Sequence, residues 1–156
     1  ETSQDEAVEV VFGPRGVFRD GNRGTLELLV GPRRGVFVFL GGGLGAMLRH
    51  GVNLLVARLV GTSFPWNTFL INITGSTVMG LIAGYLAFRG GASQHWRLFL
   101  MTGILGGYTT FSAFSLDAAL LYERGELGLA ALYVLGSVVL SIAGLFAGLA
   151  LVRHFT

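Results

Sequence analysis

Four long apolar segments, separated by short polar connectors, make up the hydrophobic pattern of the chain. Each has the roughly 20 mostly apolar residues that a helix needs to cross the hydrocarbon core of a bilayer. The connectors GTSF, RGGASQHW and ERGE are a few residues long, which favours antiparallel neighbouring helices. The predicted spans are Gly35–Val60, Pro65–Phe88, Arg97–Tyr122 and Leu127–Val152.

Composition supports a membrane protein and excludes other classes. Charged residues make up 13% of the chain, against about 25% in soluble domains. No acidic residue lies from Leu28 to Leu116, so lipid is the expected solvent of that stretch. The absence of Cys excludes disulfides and thiol chemistry. No basic patch interleaved with aromatic residues is present, so we expect no nucleic-acid partner.

Residues 1–35 differ from the rest of the chain. They contain five Arg and six acidic residues, and GPRGVFRDGNRG is typical of a flexible extension. They lack the apolar core of a signal peptide, and the first residue, Glu1, leads us to expect a fragment or a processed chain. The only hairpin that the pattern indicates would pair Ala7–Phe12 with Thr25–Val30. We divide the chain into an extension, residues 1–35, and a membrane domain, residues 36–156.

The distribution of Arg predicts orientation only weakly. Both ends of a four-span chain lie on one side, which collects five Arg against two on the other. The positive-inside rule therefore favours cytoplasmic ends. Without Arg33 and Arg34, at the edge of the extension, the bias is three against two, which allows insertion in both orientations. Four helices enclose little space, so we expect a homodimer of eight helices to bury the polar residues within the spans.

Three charged or amide side chains within the predicted spans are candidates for function, because such groups are rare at membrane depth and often functional. Arg49 lies midway along the first span, where it faces protein or water, or else reaches an interface. Asn72 is either an interhelical hydrogen-bonding residue or a donor that lines a pathway. Asp117, the only acidic residue within a span, suits cation binding, proton relay or simple contact with water near the end of its span.

The third span contains a segment that is unfavourable for a helix. Gly106-Gly107, followed by Tyr108-Thr109-Thr110, combines Gly, which costs about 1 kcal/mol relative to Ala, with Thr. A helix broken here frees backbone carbonyl groups, which are good ligands for Na⁺. On a helix, Phe111, Phe114 and Ser115 share one face, so the segment is predicted to line an ion pathway. The alternative for both Phe residues is contact with lipid or core.

No catalytic or nucleotide-binding motif competes with a transport function. GGGLGAMLR lacks the preceding strand that a dinucleotide-binding motif needs. No P-loop, zinc-protease or nucleophile-elbow motif is present, and three isolated His residues do not form a metal site. The sequence therefore predicts that the protein is not an enzyme.

Three ordered motifs resemble the Fluc (CrcB) family of fluoride channels. They are GGGLGAMLRH, FPWNTFLINITGS and GILGGYTTFSAFSLD, and the resemblance covers about residues 36–155. It implies an all-α membrane protein of four transmembrane helices with a broken third helix, assembled as an antiparallel dual-topology dimer. It also implies a channel that exports fluoride down its gradient across a bacterial-type plasma or inner membrane and so relieves fluoride toxicity.

The resemblance assigns roles residue by residue. A structural Na⁺ at the dimer centre would be held by the backbone carbonyl groups of Gly106 and Thr109. Arg49 corresponds to an Arg that attracts anions at a vestibule. Six positions correspond to the fluoride pathway: Asn72, Thr110, Phe111, Ser112, Phe114 and Ser115.

The chain departs from the family pattern at two motif positions. Ala113 stands where Thr is usual, which removes one hydroxyl, and Asp117 stands where Glu is usual. Some members pair two different chains, so a heterodimer with a paralogue is an alternative to the homodimer. The competing functions are a small dual-topology proton-coupled cation or drug exporter, with Asp117 as its intramembrane acid, and a membrane assembly protein that transports nothing.

Overall fold

The computed structural model describes residues 10–13, 16–19, 32–88 and 94–155. Contacts divide the chain into two compact units, Glu1–Val36 and Phe37–Thr156.

The first unit contains an antiparallel hairpin of β1 (Val10–Gly13) and β2 (Gly16–Arg19). β1 overlaps the predicted strand Ala7–Phe12 and pairs with β2, a partner that the sequence did not indicate. The other predicted strand, Thr25–Val30, lies outside the described residues.

Four stretches of the described residues are long and apolar enough to cross a membrane, as predicted. Their bounds are Arg34–Val60, Trp66–Ala87, Gln94–Glu123 and Leu127–Phe155. The full helices are α1 (Pro32–Val60), α2 (Trp66–Phe88), α3 (Gln94–Arg97), α4 (Gly106–Tyr108), α5 (Phe111–Glu123) and α6 (Leu127–Phe155). Together α3, α4, α5 and the segments that join them form the third span.

A π-helical segment, Leu98–Leu105, joins α3 to α4 and was not predicted from the sequence. Its wider winding is visible where the Gly106 amide donates to the carbonyl of Met101, five residues earlier. A glycine shapes each of two connectors. Gly61 and Gly125, after α1 and α5, have φ of 83° and 77°, a left-handed backbone that glycine adopts at little cost.

The most extensive interhelical contact joins α2 and α6. A side chain at Gly80 would meet the Leu145 carbonyl of α6, and one at Gly148 would meet the Thr77 carbonyl of α2. Gly144 faces the Thr77 hydroxyl at the same interface. Gly144 and Gly148 are therefore packing contacts, because small residues let membrane helices approach closely.

Glycines also bring α1 against the third span. A side chain at Gly41 would meet the carbonyl of Phe99, and one at Gly45 would meet the carbonyl of Ile104. Gly107 in turn lies against the carbonyl of Gly42. The glycine-rich motif of the first span is therefore a packing surface for the third span.

The interior is small, and much of the apolar surface faces outward. Ile71 and Tyr133 are fully buried, and Leu121 and Phe114 complete the core beside Tyr133. Only 11% to 28% of the most apolar window of each span is buried, so the rest is left for lipid or another chain. This distribution is expected where lipid replaces water as the solvent of the helices.

Candidate ion pathway

The third span is interrupted at Thr109 and Thr110, between α4 and α5. Thr109 has φ −75° and ψ 158°, and Thr110 has φ −152° and ψ 121°, so both are extended. The predicted break is confirmed, but it lies at the end of the predicted segment. Gly106 and Gly107 stay helical, and Gly107 serves close packing on α1.

Asn72 of α2 holds the extended backbone of Thr110 from both sides. Its Nδ2 donates to the Thr110 carbonyl at 3.0 Å, and its Oδ1 accepts from the Thr110 amide at 2.9 Å. One side-chain amide thus replaces two helical partners, which makes an interrupted backbone tolerable at membrane depth. Of the two interpretations that the sequence left open, interhelical bonding is shown. One Nδ2 hydrogen remains for a second acceptor.

The carbonyl groups of Gly106 and Thr109 are among those that lose their helical donors at the break. In a continuous helix, the Gly106 carbonyl would accept from the Thr110 amide, and the Thr109 carbonyl from the Ala113 amide. The Thr110 amide instead donates to Asn72, and the Ala113 amide donates to Thr110 Oγ1 at 3.2 Å. The carbonyl groups of Gly106 and Thr109, which the family resemblance assigns to Na⁺, are thereby released from the helix. Carbonyl oxygen is a ligand type suited to a hard cation, so these residues fit the assigned ion.

The hydroxyl groups that follow the break differ in their surroundings. Thr110 is the N-cap of α5, so its oxygen is engaged while its proton is free to turn to another acceptor. Ser112 Oγ lies 3.4 Å from Thr110 Oγ1. Ser115 donates to the Phe111 carbonyl at 2.9 Å, one turn earlier in α5. Ser112 and Ser115 are both exposed in the single chain.

The two Phe residues after the break lie next to each other but in different environments. Their ring centroids are 5.5 Å apart. Phe111 is 79% exposed, whereas Phe114 is 9% exposed and packs on Tyr133 at a centroid distance of 5.3 Å. The rings therefore form a short aromatic surface that begins in the core and ends at the outside of the single chain.

A cavity of about 320 Å³ adjoins the break, between α2, α5 and α6. We call it the break cavity. Four of the six predicted pathway residues line it, namely Asn72, Thr110, Phe111 and Phe114. Ser112 and Ser115 lie outside its lining, as do Arg49 and Gly106, whereas Thr109 contributes to it.

The polar contribution of α6 to the break cavity was not predicted from the sequence. Ser137 and Ser141 line it, one helical turn apart, and Ser76 of α2 does so as well. Ser137 is 4% exposed, and its buried hydroxyl has no hydrogen-bond partner among the described residues. Two Ser residues four apart in an otherwise apolar span were the signal that could have identified this face.

A second, more polar cavity of about 200 Å³ lies where the first connector meets the end of α5. Asp117, Asn67 and Arg124 contribute to its lining. Asp117 Oδ2 accepts from the hydroxyl of Tyr133 at 3.2 Å. Since the Tyr133 ring packs on Phe114, Asp117 orients a residue that supports the break cavity. Contact with a polar cavity near the end of the span agrees with the third interpretation of Asp117.

Arg49 is half-buried on α1 and lines neither cavity. Its assignment to an anion vestibule stays a prediction. Among the described residues, no group of three or more His, Asp or Glu side chains is placed to hold a metal ion. The assignment of Na⁺ to the carbonyl groups of Gly106 and Thr109 stays a prediction.

Four helices that are long and apolar enough to cross a membrane, with a cavity beside the broken span, indicate a multi-pass membrane protein. The chain belongs to the CrcB family, because the profile of the CrcB-like protein, camphor resistance (CrcB) family matches residues 36–149. It is 75% identical over 121 residues to the fluoride-specific ion channel FluC 2 of Nitrobacter hamburgensis, covering 78% of this chain and 98% of the relative.

Two further relatives carry similar names. The fluoride-specific ion channel FluC of Rhodopseudomonas palustris strain BisB5 is 76% identical over 121 residues, which cover 78% of this chain and 98% of the relative. The protein of the same name from Methylobacterium nodulans is 64% identical over 118 residues, which cover 76% of this chain and 94% of the relative. The similarity thus extends over nearly the whole length of each relative.

Proposed function

We propose that the protein is a fluoride-selective channel, and not an enzyme, which lets F⁻ leave the cell down its gradient and so relieves fluoride toxicity. The observation that carries the proposal is the break cavity, where amide, hydroxyl and aromatic groups meet in a chain whose relatives are named fluoride channels. The exporter alternative loses support because those relatives are named channels and because Asp117 is already bonded to Tyr133.

The free donors of the break cavity suit a small, strongly hydrated anion. Asn72 retains one N–H, Thr110 retains its O–H, and the buried Ser137 hydroxyl has no described partner. These donors replace water around F⁻, while the positive edges of the Phe111 and Phe114 rings face the anion. A narrow passage of fixed width then discriminates against the larger chloride ion, one of the general routes to channel selectivity.

Fluoride efflux from proteoliposomes tests this proposal directly. Vesicles loaded with KF are diluted into fluoride-free buffer, and release is followed with a fluoride electrode after addition of valinomycin. We expect rapid fluoride release and no comparable release from KCl-loaded vesicles. Release no faster than from protein-free vesicles, with the protein shown to be folded, would overturn the proposal. Proton-driven uptake of an organic cation would favour the exporter instead.

The exposed apolar faces support a dimer as the working unit. Only 11% of the most apolar window of the first span is buried, and Phe111, a proposed pathway residue, is 79% exposed. A second copy, inserted in the opposite orientation, would cover these faces and enclose Phe111, Ser112 and Ser115. The weak bias in the Arg distribution allows both orientations. Cross-linking in membranes and accessibility of a terminal tag from both sides test the assembly, and cross-links to a paralogue would show a heterodimer.

The released carbonyl groups of Gly106 and Thr109 support a structural Na⁺ at the centre of that dimer. When bound, the ion supplies positive charge that holds the two breaks together. Replacing Na⁺ by N-methylglucamine should then lower the thermal stability of the purified dimer, a readout independent of conduction. Equal stability in the two salts would argue against the site.

We assign Arg49 to attraction of anions at the mouth of the pathway, in a plasma or inner membrane. A fixed positive charge raises the local concentration of anions, and salt screens this effect. Arg49→Gln should therefore lower fluoride flux more at low than at high ionic strength. The same fractional loss at both ionic strengths would exclude this role.

A further inference from the structure

Tyr108, at the end of α4, contacts α2 at a point that neither the cavity nor the released carbonyl groups explain. Its hydroxyl lies 3.0 Å from Thr74 Oγ1. The Thr74 proton is already used, since its hydroxyl donates to the Leu70 carbonyl at 2.7 Å. A hydroxyl has one proton, so the Thr74 oxygen is the acceptor and Tyr108 is the donor. The bond therefore has a defined direction, from the third span to α2.

The ring of Tyr108 is held at a second point. Gly75 of α2 is buried, and a side chain there would collide with the Thr109 methyl group and come against the Tyr108 ring. The missing side chain of Gly75 is thus the space into which these two neighbouring residues fit. Hydroxyl and ring together fix the last turn before the break against one turn of α2.

Three consecutive residues of the third span are held by this one turn of α2. Tyr108 bonds to Thr74, Thr109 packs on Gly75, and Thr110 is bonded on both sides by Asn72. Asn72 holds Thr110, the second of the two extended residues, whereas Tyr108 holds the helical residue that comes just before them. Without the hydrogen bond from the Tyr108 hydroxyl, the backbone before the break would keep two hydrogen bonds from Thr109. Its amide and its hydroxyl both donate to the Leu105 carbonyl at 2.9 Å.

We propose that Tyr108 is a positioning residue for conduction, which fixes the upstream side of the break through its hydrogen bond to Thr74. The inference rests on the proposed conduction path, because the phenol itself lies outside the lining of the break cavity. Tyr108 acts through Thr109 and Thr110. It thereby sets where α5 begins and where the Phe111 ring lies.

The test removes the bond from either end without changing the size of the side chains. Tyr108→Phe and Thr74→Val should each lower fluoride flux by about two- to tenfold, the effect of one hydrogen bond on a barrier. The double variant should be no slower than either single variant, because both remove the same interaction. Thr74→Ser keeps the acceptor and should restore wild-type flux. Tyr122→Phe, at an exposed phenol near the end of α5, is the matched control and should conduct normally.

Hydrogen exchange of the full-length protein gives a readout that does not depend on fluoride conduction. Tyr108→Phe should speed exchange of the amides around the break, residues 109–111, and leave those of α6 unchanged. Wild-type flux and exchange in both single variants, or losses that add in the double variant, would overturn the inference. If the wild-type protein itself released no fluoride, the proposed function would fail, and the exchange measurement would still decide whether Tyr108 holds the break.

Discussion

The α2–α6 pair and the third span contain the same kinds of residue but use them differently. In α2, Thr77 donates to the Ile73 carbonyl at 2.9 Å within its own helix, and Gly80 lets the α6 backbone approach. In the third span, Thr110 takes the Ala113 amide away from the helix, and Asn72 takes the Thr110 amide. The first arrangement keeps the backbone bonds of the helix, and the second redirects them.

The difference shows what makes a polar residue disruptive at membrane depth. A hydroxyl that bonds to a carbonyl of its own helix leaves the backbone ladder intact. A hydroxyl or amide that accepts a backbone N–H deprives a carbonyl of its donor, and the helix ends there. Glycine content does not explain why one helix is continuous and the other interrupted, because Gly107 in the third span, like Gly80 in α2, serves close packing. The following substitutions test this contrast.

The largest effect is expected for Asn72→Leu, which leaves the amide and carbonyl of Thr110 without their partners. An unpaired buried group costs about 1–3 kcal/mol, so the break should lose its fixed geometry and flux should fall about a hundredfold or more. Fluoride efflux per folded channel measures this loss. Asn53→Leu, which removes a 3.1 Å bond between α1 and α2 away from the break, is the control and should conduct within about twofold of wild type. Normal flux in Asn72→Leu would refute the role of the amide.

Replacing Phe111 or Phe114 distinguishes a role of the ring in conduction from a role in packing. Phe111→Ile and Phe114→Ile should each reduce flux about tenfold or more, because an aliphatic group has no positive ring edge for the anion. Thermal unfolding should distinguish them. Phe114 is 9% exposed, so its loss should also destabilise the fold by about 1 kcal/mol, whereas Phe111 is 79% exposed and should tolerate the change. Wild-type flux in both variants would remove the rings from the mechanism.

Gly80→Ala should affect stability and leave conduction unchanged. The added methyl group meets the Leu145 carbonyl, which cannot move without shifting α6, so we expect a loss of about 1–3 kcal/mol. Flux per folded channel should stay near wild type because the break is untouched. Gly128→Ala, where the structure leaves open space, provides the comparison and should be neutral. A selective loss of flux in Gly80→Ala would show that the two regions are coupled.

The smallest effect is expected at the N-cap of α5. Thr110→Val removes the acceptor of the Ala113 amide and should cost about 1 kcal/mol, with a loss of flux of severalfold. Thr110→Ser keeps the acceptor and should retain wild-type stability and flux. Equal behaviour of the Val and Ser variants would mean that the hydroxyl does not fix the start of α5.

The sequence by itself determined the four spans, the interruption of the third and the polar residues beside it. Span ends were predicted to within three residues, because a long apolar stretch without acids has few alternatives to a membrane helix. Asn72 was also identified, since an amide at membrane depth requires partners. These inferences depend on the length and composition of segments of the chain, which can be determined without knowing how the helices pack.

The tertiary structure decided what each polar residue bonds to. Asn72 reaches Thr110 across 38 positions, and the release of the Gly106 carbonyl group follows from that contact rather than from a local glycine signal. Ser137 and Tyr133 were missed because their importance arises from what α6 faces. The π-helical winding and the direction of the bond from Tyr108 were likewise invisible in the sequence. A backbone amide that donates to a side chain no longer donates to the carbonyl of its own helix. Which carbonyl groups are left without a donor therefore depends on how all the helices pack.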